Sequence, residues 1–285
     1  MTRGTIGIRA KAAPLRAGLA GLLLGAGLAL SPAGPGHAVE TAAQADVGLL
    51  WLPDDPATAA PVPVVVALYD FPGVDPRGWR YAEQLTAAGI AVLHVELQDY
   101  SADGIVAMPA GDDEAAALAR VKQAIGFLAE DPRFAQAPVG LLSFGASGAA
   151  AMRAATDPIV GGRIGAMALL YPGCAGLGAA AEAAPRAPVL LLHGDEDPAN
   201  TPADCAGLAA RIARTAPVRH LRYAGAGHAW DLPPNGPHES MTVTWPGRPG
   251  MRLRTAFWAQ ATEYSAAQVA SFFALALPAP AGATP

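Results

Sequence analysis

The chain alternates short, wholly apolar runs with longer stretches of helical period. Val62–Leu68, "VPVVVAL", is β-branched and apolar on every position, as a strand covered on both faces must be. Similar runs follow at Ile90–Val95, Val139–Phe144, Ile164–Tyr171 and Val189–His193, and a further strand is expected at Val218–Tyr223. Between them the period predicts helices at Gly78–Ala88, Asp112–Glu130, Ser147–Thr156, Pro202–Thr215 and Thr262–Ala276. Their punctuation agrees. Gly89 suits a helix stop, acidic residues open the second helix, and Thr201-Pro202 is a good N-cap and first position. Strand–helix alternation of this kind predicts one doubly wound, mostly parallel α/β sheet with helices on both faces. Residues 39–61 read as an irregular lead-in with an edge strand near Val47–Leu52, and 232–250 as a Pro/Gly-rich loop. The tail 279–285 is expected to be disordered.

The amino terminus follows different rules. Arg3, Arg9, Lys11 and Arg16 precede an apolar run, Ala17–Leu30, that is too short for a span of about 20 residues. Ser31-Pro32 breaks the run, and Gly36-His37-Ala38 offers a small-residue cleavage point. Residues 1–38 are therefore expected to be a secretory signal, with an uncleaved anchor as the alternative, and 39–278 the exported domain. The whole chain has a formal charge of −5; without those four basic residues the remainder carries −9. That acidity disfavours nucleic acid and anionic membrane as partners. With 52% hydrophobic and 15% charged residues, the chain suffices for a large buried core. Its two cysteines, Cys174 and Cys205, each follow a predicted strand. Where those strands are neighbours, a disulfide worth roughly 3–4 kcal/mol becomes possible. Two buried free thiols are the other reading.

In doubly wound sheets, ligands sit beyond the carboxyl ends of the strands. Four strand ends carry candidate residues: Asp70 and Phe71, then "SFGAS" (Ser143–Ser147), then Asp195 and Asp197 in "HGDEDP", then His228 in "GAGHAWD". An elbow, an acid and a histidine in that chain order are more specific than any one of them. The stretches "VVVALYDFPGVDPRGWRYAEQLTAAGIAVLHVEL", "EDPRFAQAPVGLLSFGASGAA", "ALLYPGC", "PVLLLHGDEDPANTPADC" and "YAGAGHAWD" resemble the dienelactone hydrolase family of α/β-hydrolases over nearly all of residues 60–275. The resemblance implies a cysteine or serine nucleophile, an aspartate and a histidine. It also implies hydrolysis of a small ester or lactone without metal or cofactor. Carried onto this chain, Asp197 is the acid, with Asp195 as the alternative, and His228 is the base. The N–H groups of Phe71 and Ala146 would form the oxyanion hole, with Asp70 beside it.

The nucleophile departs from the pattern. Counting without gaps from "DPRF" puts the family's nucleophile on Gly145, which has no side chain to acylate. A shift of two residues gives "GASGA", with Ser147 in the nucleophile's place, and Ser143 is a third possibility. Three functional expectations stay open. The protein is an exported serine hydrolase using Ser147, a catalytically silent relative that binds a small ligand or a partner protein, or a His228–Asp197 dyad that activates water directly, with or without Asp70. Oligomeric state cannot be read from the pattern. Of the tryptophans, Trp230 and Trp245 suit either pocket or core, and Trp258 reads as core.

Overall fold

A computed structural model describes residues 39–41, 47–53, 61–70, 76–95, 97, 113–180, 185–233, 242–245 and 250–277. By its contacts the chain divides into residues 1–34 and 35–285, and every described residue belongs to the second unit. The expected signal segment, the tail and Phe71 lie outside the described residues.

The strands are β1 (Val39–Thr41), β2 (Leu49–Trp51), β3 (Val64–Leu68), β4 (Ala91–Val95), β5 (Val139–Phe144), β6 (Ile164–Leu170), β7 (Val189–Gly194) and β8 (Val218–Tyr223). They form one sheet of order β1-β2-β4-β3-β5-β6-β7-β8. From β4 to β8 every pairing is parallel, while β1 and β2 form an antiparallel edge. The order reverses around β3, so the carboxyl ends of β3 and β5 open side by side.

The helices are α1 (Arg77–Ala87), α2 (Asp113–Glu130), α3 (Gly148–Thr156), α4 (Cys174–Ala180), α5 (Pro202–Ile212) and α6 (Ala259–Ala276). Alternate residues of each central strand feed two separate cores. Val64, Val66, Leu141, Leu169 and Leu191 meet α2, α3 and α5 on one face. Val65, Leu142, Leu170 and Leu192 meet α1 and α6 on the other. Burial on both faces explains why these strands read as unbroken apolar runs.

Three details differ from the sequence reading. α4 was hidden in "CAGLGAA", a string too short and too small in side chains to show a period. The segment read as loop 232–250 contains a strand, β9 (Thr242–Thr244), which pairs antiparallel with β10 (Arg252–Arg254). Trp258, expected in the core, is 39% exposed, because it stands just before α6 rather than on its buried face. Among the described residues, no helix is long and apolar enough to cross a membrane.

Candidate active site

Every element of the site hangs from a strand's carboxyl end. β5 runs to Phe144, and the chain turns at once through a short 3-10 segment, Gly145–Ser147, into α3. Gly145 has φ +57°, the left-handed region where a side chain is costly and glycine is not. The sharp turn therefore sits on Gly145.

Ser147 lies inside that turn, buried, with its hydroxyl committed to backbone. Its Oγ accepts the Phe144 N–H at 3.0 Å, and its single hydrogen serves the Leu68 and Phe144 carbonyls, each at 2.9 Å. Ser147 ties the end of β3 to the elbow. Ser143 is buried within β5, and its Oγ lies 3.4 Å from the Ala168 carbonyl of β6.

What stands at the elbow is Asp70, two residues past β3. A Cβ built on Gly145 would fall on Asp70 Oδ2 and within 2.7 Å of Asp70 Cγ. The carboxylate thus fills the space where a nucleophile's side chain would project. Its Oδ2 accepts the Ala146 N–H at 3.3 Å, the amide expected to serve an oxyanion. Its Oδ1 takes an ion pair from Arg77 Nη2 at 2.7 Å, and both side chains are buried. Arg77 opens α1, and no pattern in the sequence singled it out, because a lone arginine seven residues from an aspartate has no motif.

His228 and Asp197 come together as the chain order suggested. His228 Nδ1 lies 2.8 Å from Asp197 Oδ2, with both side chains almost fully buried. Asp197 also accepts the Ala199 N–H at 2.8 Å on Oδ1 and the Asn200 amide at 2.9 Å on Oδ2. Asn200 in turn accepts the Gly173 and Cys174 N–H groups at 2.7 and 3.2 Å. Cys174 and Cys205 form a disulfide that joins α4 to α5. A carboxylate with its lone pairs so occupied holds one orientation and accepts the Nδ1 proton, which leaves Nε2 as a lone-pair base. Among the described residues nothing hydrogen-bonds that Nε2. Asp195 lies in the same turn, but it accepts the Gly225 N–H at 2.7 Å and does not meet His228.

Tyr171 and Asp231 complete the surroundings, and neither was singled out in the sequence. Tyr171 follows β6 with φ +41°, uncommon for a tyrosine. Its ring edge faces the His228 ring at 5.1 Å, and Trp245 faces it at 5.4 Å. Its hydroxyl donates to Asp231 Oδ1 at 2.6 Å, and the Tyr81 hydroxyl donates to Oδ2 at 2.7 Å. Burial, with the Asp231 charge behind it, pushes both phenols well above their usual range, so both remain donors. Trp230 donates to Ser265, which also bonds Tyr81, so this tryptophan is core rather than pocket lining. Among the described residues no three His, Cys, Asp or Glu side chains converge as a metal site.

The profile of the dienelactone hydrolase family matches residues 48–274. The chain belongs to the dienelactone hydrolase family. Its fold is shared with the dienelactone hydrolase of Anabaena variabilis, at 21% identity over 85% of this chain and 99% of that one, with a TM-score of 0.59. A dienelactone hydrolase-like promiscuous phosphotriesterase from metagenomic libraries matches at 21% identity, over 81% and 92% of the two chains, with the same TM-score of 0.59. The propionate-bound esterase Est2 of Thermogutta terrifontis matches at 13% identity, over 85% and 94%, with a TM-score of 0.55. No curated protein sequence matches significantly. The chain is thus an esterase-type α/β-hydrolase in fold and family, with glycine at its elbow.

Proposed function

We propose that this protein is an exported hydrolase in which the acyl-enzyme route is closed and His228, oriented by Asp197, activates water directly. The observation that carries the reading is the pairing of an intact His228–Asp197 contact at 2.8 Å with a side-chain-free elbow at Gly145. Ser147 is not available as a substitute, because its hydroxyl is spent on three backbone groups.

The substrate class is a small ester or lactone. The propionate held by the Thermogutta terrifontis esterase supports that class by analogy of fold. Water gives its proton to His228 Nε2 as it adds to the acyl carbon. The imidazolium, steadied by Asp197, returns the proton to the leaving alkoxide. Such a site is slow towards esters, because it lacks a serine or cysteine nucleophile and the Ala146 N–H already serves Asp70. Export rests on the basic, then apolar, residues 1–38, and the Cys174–Cys205 disulfide suits an oxidising compartment. The second reading, a silent ligand-binding relative, is favoured by the same occupied elbow.

The test is turnover of p-nitrophenyl acetate and γ-butyrolactone alongside a fluorophosphonate probe. The expected result is slow turnover, lost in His228→Ala, kept in Ser147→Ala, with no probe adduct. A fluorophosphonate adduct on Ser147 overturns the proposal. Wild-type rates equal to those of His228→Ala leave the silent reading.

A further inference from the structure

Asp70 is held where the family keeps its nucleophile, and we infer that it is one. We propose that the Asp70 carboxylate attacks a saturated carbon bearing a leaving group, and that His228-activated water then hydrolyses the aspartyl ester. The proposal rests on the preceding reading only for the role of His228.

Three observations carry it. The Asp70 Oδ2 atom lies within the space that a side chain on Gly145 would take, closer to its Cβ position than non-bonded atoms can approach. A larger residue at 145 would expel it, so the glycine and the aspartate fit as a pair. The two carboxylate oxygens have different fixed partners, Ala146 N–H on Oδ2 and Arg77 on Oδ1. Burial of both Asp70 and Arg77 fixes the aim of Oδ2, as a preorganised nucleophile requires.

The chemistry selects the electrophile. A carboxylate adding to an ester carbonyl is expelled again, because it leaves more readily than an alkoxide. Such an attack also needs an oxyanion donor, and Ala146 N–H is already engaged. Displacement at saturated carbon has neither requirement. Carboxylates perform it in glycosidases. The substrate class is accordingly a small alkyl halide or epoxide.

The steps balance as follows. Oδ2 forms the new C–O bond as the C–X bond breaks, and the leaving group departs with the electron pair; an epoxide oxygen takes a proton from solvent. Oδ1 becomes the carbonyl oxygen of the aspartyl ester and stays beside Arg77. Water, losing its proton to His228 Nε2, adds to Asp70 Cγ, and the Arg77 guanidinium faces the oxyanion that forms on Oδ1. Collapse expels the alkoxide, which takes its proton from His228. The product is an alcohol, and Asp70, re-formed as a carboxyl group with one oxygen from water, releases the second water proton to solvent as it returns to the carboxylate.

The experiment reads Asp70 directly. His228→Gln is incubated with benzyl bromide or styrene oxide, quenched in acid and mapped by peptide mass spectrometry. The expected result is one substrate group on Asp70, accumulating because the second step is blocked. Gly145→Ala, in which the new methyl takes the place of Oδ2, should lose most of that labelling while Asp70 itself is unchanged. Wild-type protein turning over styrene oxide in 18O-water should incorporate 18O into the Asp70 carboxylate, an arm that requires no substitution. Absence of both the adduct and the 18O overturns the proposal, as does alkylation of His228→Gln confined to residues other than Asp70. Asp70 labelling in a protein that leaves p-nitrophenyl acetate intact supports this proposal and removes the acyl reading. Ester turnover without any Asp70 label does the reverse.

Discussion

Replacing Gly145 by alanine is the sharpest test of the elbow geometry, because its cost depends on Asp70. Two penalties arise in Gly145→Ala. The left-handed backbone at φ +57° costs a non-glycine residue about 1 kcal/mol. The new Cβ also falls on Asp70 Oδ2, so the carboxylate must move and give up the Ala146 N–H, a charged hydrogen bond worth about 1.5–3 kcal/mol. The single variant should lose about 2.5–4 kcal/mol. Asp70→Ala should lose about 3–5 kcal/mol, because the buried Arg77 loses its ion-pair partner at 2.7 Å. In the double variant the collision has no partner, and Gly145→Ala adds only its backbone strain. Urea unfolding of the four proteins at neutral pH should therefore give a coupling of about 2 kcal/mol, with the double variant more stable than the sum of the single losses. Additivity within about 0.5 kcal/mol would refute the placement of Asp70 at the elbow.

Further expectations concern pH, the disulfide and buried hydroxyls. His94, buried beside Tyr69 and Trp51, has its pKa pushed down by burial to about 4 from the ordinary 6.5. The unfolded chain thus binds a proton between those values and the native protein does not. Stability falls as pH drops from 6.5 towards 4, by about 3 kcal/mol. Denaturant midpoints across that window should show the loss, and His94→Gln, which keeps an acceptor for Tyr69, should flatten it. A slope unchanged in His94→Gln assigns the loss to other groups. Replacing both Cys174 and Cys205 by alanine should lower stability by roughly 3–4 kcal/mol, read by calorimetry, for a bridge separated by 31 residues. Asp231→Ala should lose about 1–3 kcal/mol, since it removes the acceptor of the buried Tyr171 hydroxyl, while Tyr81 keeps Ser265. An unchanged melting temperature would mean that the Tyr171 hydroxyl finds another partner. Ser147→Ala should cost about 1–3 kcal/mol of stability, because the Phe144 N–H and the Leu68 carbonyl lose a buried partner.

The sequence by itself determined the fold class, the positions of the central strands and the chain order of acid and histidine. Val139–Phe144 was legible to the residue, because a strand buried between two helical layers can hold only apolar residues or those paired across it; Val218–Tyr223, the half-exposed edge strand, has the expected bounds although it carries Arg219, His220 and Arg222. The edges were less legible. β9 and α4 are short elements fixed by tertiary contacts rather than by their own period. At the site, "DEDP" and "GAGH" marked Asp197 and His228, since tight loops at strand ends leave a recognisable spacing.

Tertiary structure alone decided the rest. The pattern left the elbow in three registers, and φ +57° at Gly145 together with the backbone bonds of Ser147 separates them. Asp70 and Gly145 are 75 residues apart in sequence, yet they share one position because β3 and β5 are parallel neighbours. Arg77, Tyr171 and Asp231 gather there from α1, β6 and the loop after β8. No local spacing encodes such a meeting. It follows from strand order, and strand order is set by the packing of the two cores.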